Sequence, residues 1–275
     1  GTLRVGASNS RMMGESIVTV HPGAGTLEFG AIDGYQLSAA AGSTVAFVGG
    51  TTGNSTFDGA YTSQGTTNFS GGRVIFDGTY NGSVTNLAGG SATFNAAYTG
   101  GVTNISHADS VVRFEGVGAH TTSGLNLSAG TLTGAGVLSL SGAGTWTGGQ
   151  LGSADRASGE LDIVAGGELV VTGSSAKTIN NSYALRTFWQ GSVRLQDADI
   201  LGSGDIVNEG TFDFAGDGSV SVPFFGNFFG QVRKSSGTGV SRINADVQDR
   251  NGFWTVDGGT LRVGASNSRM MGESI

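Results

Sequence analysis

Short apolar runs alternate with polar positions along the whole chain and are broken every few residues by Gly, Asn, Ser or Thr, the period-two grammar of strands and turns. No helical period is sustained, and the nearest approach, Ser10–Ile17, is weak. Between residues 55 and 130 the pattern repeats as STFDGAYTSQGTTNFSGG, RVIFDGTYNGSVTNLAGG, SATFNAAYTGGVTNISHAD and SVVRFEGVGAHTTSGLNLSAG. Phenylalanines fall at Phe57, Phe76, Phe94 and Phe114, tyrosines at Tyr61, Tyr80 and Tyr98, and asparagines at Asn68, Asn86, Asn104 and Asn126. The predicted unit is a coil of about 20 residues, holding two or three short strands. Such a coil cannot bury its apolar face alone, but stacked coils share a core and pair every strand above and below.

Stacking places like residues on like. The asparagines of the N-Φ-S/A strings (Asn68, Asn86, Asn104, Asn126) are expected at a turn, forming an internal ladder of side-chain amides. Solvent-facing turn asparagines without mutual contact are the alternative. Beyond Leu127 that signature stops, yet GELDIVAGGELVVTG (159–173) still alternates, and Gly210, Gly230 and Gly252 keep a spacing of 20 and 22.

A second, longer repeat frames the first. GTLRVGASNSRMMGESI occurs as residues 1–17 and again, unchanged, as residues 259–275. The expected organisation is one continuous solenoid over 1–275: a 258-residue tandem period (1–258) followed by the opening 17 residues of the next. At about 20 residues per coil, a period holds about 13 coils.

GTWTGGQL (144–151), VNEGTFDFAGDGS (207–219), RKSSGTG (233–239) and FWTVDGGTLRV (253–263) are similar to the repeats of very large bacterial surface proteins, autotransporter passengers and filamentous-haemagglutinin-type adhesins. The resemblance implies a single-stranded right-handed parallel β-helix outside the cell, serving adhesion or as a fibrous stalk. It departs at Phe228 and Phe229, where Asn and a small residue are usual.

Composition narrows the classes. With 37% hydrophobic residues the chain can build a core despite its 51 glycines. Net charge is −7 and there are two lysines, Lys177 and Lys234, so a phosphate backbone is repelled and nucleic acid is not an expected partner. No apolar run reaches 18 residues, so no membrane-spanning helix is expected. Absence of cysteine fits passage through an oxidising compartment.

Candidate chemistry is sparse. Carboxylate pairs that could serve polysaccharide cleavage are Asp197 and Asp199, Asp213 and Asp217, and Asp246 and Asp249. A solvated outer face is the commoner reason for such pairs, and no catalytic residue is assigned. His21, His107 and His120 are scattered, and the calcium-binding nonapeptide is missing, so neither metal nor cofactor is expected. Six Asn-x-Ser/Thr sequons (Asn54, Asn68, Asn81, Asn104, Asn126, Asn180) read largely as turn chemistry. Four aromatic doublets stand out: Phe188-Trp189, Phe224-Phe225, Phe228-Phe229 and Phe253-Trp254. In a strand, one ring of each points outward and offers a contact surface to sugars or neighbouring fibres; at a corner, both tuck inside.

The expectation is therefore a non-enzymatic structural repeat of a long extracellular or cell-surface fibre or adhesin stalk. Its partners are neighbouring copies, end to end and laterally, and surface glycans. The alternative is a carbohydrate-binding or carbohydrate-cleaving β-helix, tailspike-like or polysaccharide-lyase-like.

Overall fold

The structure, a computed structural model, describes residues 2–5, 17–20, 26–29, 36–48, 54–116, 118–154, 159–264 and 269–271. Among these the regular elements are all β-strands, paired in parallel and stacked as a β-solenoid of about 11 turns of roughly 20 residues. Ser10 to Ser16 of the weakly helical stretch, and His21, lie outside the described residues. The turn number corrects the expected 13, because several coils are long. Gly149 pairs with Lys177 and Glu160 with Ala184, steps of 28 and 24 residues. The chain divides into two compact units, residues 1–137 and 138–275.

In the first unit, the repeat read from the sequence is the strand register itself. Phe57 pairs with Phe76, Phe76 with Phe94 and Phe94 with Phe114. Their rings stack at 5.1, 5.1 and 5.4 Å between centroids. Beside them Tyr61, Tyr80 and Tyr98 stack at 4.8 and 5.0 Å. Offset-stacked and edge-to-face rings add to burial itself, which contributes about 1.5–3 kcal/mol for a large side chain. A buried phenol needs a partner, and each tyrosine hydroxyl finds one in a threonine of its own coil: Thr67 at 2.6 Å, Thr85 at 2.7 Å and Thr103 at 2.6 Å. Burial pushes all three phenols above their ordinary range. His120 takes the tyrosine position one coil on, with Nε2 at 3.0 Å from the Glu115 carbonyl.

The second unit replaces aromatic ladders with mixed ones. One inward column runs Leu161, Leu185, Ile206, Phe225, Val247, and a second runs Leu169, Val193, Phe212, Val232, Trp254. Lys234 sits where the coil below has Phe214, fully buried. Its ammonium donates to the Gly216 carbonyl at 2.7 Å, Asp217 Oδ1 at 2.9 Å and Ser241 Oγ at 3.1 Å, so no proton of the buried cation lacks an acceptor.

Candidate functional site

The four asparagines of the first unit do form a ladder. Asn86 donates to Asn68 at 2.8 Å, Asn104 to Asn86 at 2.7 Å and Asn126 to Asn104 at 2.7 Å. They stand within strands, not at turns, and on the outer face: Thr67, Thr85 and Thr103 before them and Phe69, Leu87 and Ile105 after them point inward. Strand alternation leaves Asn68, Asn86 and Asn104 half-buried and Asn126 exposed. The expected internal turn ladder is therefore an external strand ladder.

An internal polar ladder exists elsewhere. In the second unit Ile163, Thr187, Asn208, Asn227 and Asp249 occupy one inward column. The Thr187 hydroxyl donates to Asn208 Oδ1, Asn208 Nδ2 donates to Asn227 Oδ1 at 2.8 Å, and Asn227 Nδ2 donates to Asp249 Oδ1 at 2.7 Å. Trp254 Nε1 closes the run on the same oxygen at 2.9 Å. Asn208 and Asn227 are fully buried. The chain leaves this column through a corner that ends in Gly191, Gly210, Gly230 or Gly252, each carbonyl or amide of which joins the next coil. A Cβ at Gly230 would stand 2.5 Å from Asn208 Nδ2, and one at Gly252 only 1.8 Å from Asn227 Nδ2. The glycine spacing seen in the sequence is thus the mark of the ladder one coil below.

The carboxylates singled out for catalysis are largely taken up in coil-to-coil bonds. Asp197 Oδ1 accepts the Asp217 amide at 2.8 Å, and Asp199 Oδ1 the Ser219 amide at 2.8 Å. Asp217 accepts the Gly239 amide and Lys234, which holds its carboxyl below the usual range. Asp213 pairs with Arg233 at 2.8 Å, Asp249 belongs to the polar ladder, and Asp246 is half-buried. A further acid was not read from the sequence. Asp162 is buried beside Glu160 and Glu209, which both reach Arg186, at 3.3 and 3.4 Å. Burial first, then the Glu160 charge, push its carboxyl up to about 6. His107 contacts the Asp109 amide on the surface, and among the described residues no three acidic, histidine or cysteine side chains converge as a metal site requires.

The aromatic doublets divide. Phe225 is a core residue, edge-to-face on Phe212 at 5.4 Å, which removes it from any contact surface. Phe224 and Phe228 are half-buried and touch at 6.5 Å, Phe188 is half-buried under Arg186 at 4.8 Å, and Trp254 is half-buried with its indole nitrogen on the ladder. Trp189, Phe229 and Phe253 are exposed. Trp189 and Phe229 lie just past the ends of strands Ala184–Thr187 and Val220–Phe228, at the corner, where alternation no longer applies.

Beside that corner lies an open pocket of about 350 Å³, lined by Glu168, Ser192, Arg194, Thr211, Asp213 and Arg233. No family model, no curated protein and no solved structure matches the chain.

Proposed function

We propose that the chain is a structural repeat of a long extracellular bacterial fibre or adhesin stalk, built to continue from one period into the next without enzymatic activity. The observation that carries the reading is the pairing of the duplicated segment. Thr2–Val5 pairs in parallel with Thr26–Phe29, the coil that follows it, whereas the identical Thr260–Val263 pairs with Val240–Ile243, the coil that precedes it. One sequence therefore serves as upper neighbour in one copy and lower neighbour in the other. Superposing the two copies extends the ladder from Val240–Ile243 through TLRV to Thr26–Phe29 without a change of strand direction. Open strand edges of this kind take up a further coil readily. The acidic side chains support a non-catalytic role, since most are engaged in joining coils.

The reading is tested by expressing two and three consecutive 258-residue periods and measuring particle length by electron microscopy and small-angle scattering. Length proportional to the number of periods, with constant circular dichroism per residue, is the expected result. Periods that fold as separate particles on loose joints would overturn it.

A further inference from the structure

Every aromatic side chain exposed among the described residues stands at one corner of residues 138–275: Trp189 at 72%, Phe229 at 54% and Phe253 at 68% exposure. Because Thr187, Asn208 and Asn227 stack in register, Trp189 and Phe229 occupy the same corner two coils apart. Phe253 follows in the next coil, paired with Gln231. At a strand spacing of about 4.8 Å, the three rings mark a ridge roughly 15 Å long. Phe229 adopts a left-handed backbone, φ 62°, which favours Gly or Asn. An exposed ring kept in that conformation weakens the fold and gains nothing from burial, the usual sign of a residue retained for a contact.

The corner leads directly onto the pocket. The column Glu168, Ser192, Thr211 continues through Gln231 to Phe253, and Arg194, Asp213 and Arg233 form the next outward column. The four ionised side chains of the pocket sum to zero charge. Asp213 Oδ2 is held by Arg233 at 2.8 Å and by Ser235 at 3.0 Å, while Asp213 Oδ1 and Arg233 Nε have no hydrogen-bond partner. Side by side, an unused acceptor and an unused donor suit a hydroxyl group, which donates to one and accepts from the other. An anion would be repelled by Glu168 and Asp213, and an apolar peptide would leave the guanidinium groups without acceptors.

We infer that the Trp189–Phe229–Phe253 ridge and the Asp213 pocket together bind a neutral hexose-based polysaccharide. Sugar ring faces stack on the exposed aromatics, and hydroxyls bridge the carboxylates of Asp213 and Glu168 to the guanidinium groups of Arg194 and Arg233. Seating the hydroxyl displaces the Arg233 side chain, which is 42% exposed and free to swing from above Asp213. This site goes beyond the stalk reading and is testable on a single chain.

The experiment titrates the 275-residue chain with a panel of neutral gluco-, manno- and galacto-oligosaccharides, and with polygalacturonate, by calorimetry and tryptophan emission. Expected is saturable, salt-insensitive binding of at least one neutral oligosaccharide with a change in Trp189 emission. Phe229→Asn and Arg194→Ala should each weaken it about tenfold, the loss of one good contact, with melting temperature unchanged or, for Phe229→Asn, raised. Binding by none of the neutral sugars at millimolar concentration, or affinity unaltered in both variants, overturns the inference. So does binding of polygalacturonate alone and only at low salt. A dimer that dissociates in Phe229→Asn, with no sugar bound, would assign the ridge to lateral contact between chains and equally overturn it.

Discussion

Removing one rung of the buried polar ladder isolates what the second unit owes to it. In Asn227→Ala, Asp249 Oδ1 loses the amide at 2.7 Å and keeps only Trp254 Nε1 at 2.9 Å, while Asn208 Nδ2 loses its acceptor at 2.8 Å and keeps the Gln231 carbonyl at 3.1 Å. Each buried group deprived of a partner costs about 1–3 kcal/mol. The residual bonds place both losses in the lower half of that range, and the void left by the amide adds to them, giving about 3–4 kcal/mol. Asn86→Ala also breaks two amide bonds, but on a half-exposed face where water takes the vacant places, so about 1 kcal/mol is expected. Asn81→Ala, at an exposed position, should change stability by less than about 0.5 kcal/mol.

The two units can be read separately because Trp146, Trp189 and Trp254 all fall within residues 138–275. Tryptophan emission follows the second unit, and far-ultraviolet circular dichroism follows both. Asn227→Ala should lower the melting midpoint seen by tryptophan by about 10 °C, since 1 kcal/mol corresponds to roughly 2–4 °C at this size. Asn86→Ala should leave that signal in place. Equal losses from Asn227→Ala and Asn86→Ala would show that the buried ladder is no more valuable than the exposed one, and would refute the reasoning.

Three further outcomes are expected. Gly252→Ala drives a Cβ to 1.8 Å from Asn227 Nδ2 and should destabilise the second unit at least as much as Asn227→Ala, whereas a tolerated alanine, by urea midpoint, would mean that the corner sits further from the ladder. Asp162, whose carboxyl is raised from 3.8 to about 6, contributes stability that is fully present below about pH 4 and is lost as pH rises through 6. Asp162→Asn should then stabilise by about 1–2 kcal/mol at pH 7.5, after allowance for partial hydration, and by nothing at pH 4; equal effects at both pH values would contradict this. Lys177 and Lys234 are both fully buried, so an amine-reactive ester should modify neither in the folded chain and both after denaturation, as read by peptide mass.

Much of this was legible in the sequence. The spacing of Phe57, Phe76, Phe94 and Phe114 is the strand register because one coil of the first unit has nearly constant length. The side of the asparagine ladder was legible too, and was misread: in Thr85-Asn86-Leu87 the inward leucine forces its neighbour outward. Asn208, Asn227 and Asp249 were signalled by lying two residues after the inward Ile206, Phe225 and Val247, but corner lengths that vary from coil to coil blur the period that would align them. The pocket was hidden for the same reason. Arg194, Asp213 and Arg233 are neighbours only once coil length is known, and no local pattern joins them.

The corner after the ladder shows where the fold stops dictating the residue. Stacking demands a glycine at positions 191, 210, 230 and 252, because a side chain there meets the coil beneath. The residue before that glycine is left-handed at Gly166, Gln190, Phe229 and Asn251, and not at Glu209, where the corner is shortest. Left-handed backbone costs a non-glycine residue on the order of 1 kcal/mol, least for Asn, so Gly166 and Asn251 are what stability alone selects. The same geometry turns the side chain away from the core, leaving Gln190, Phe229 and Asn251 exposed. Variation at this position therefore changes the surface without disturbing the stack, and a row of such corners along a solenoid gives one outward residue per coil, free to be chosen for what it touches. Phe229, disfavoured by both conformation and exposure, is the residue in that row whose identity the fold does not explain and an external partner does.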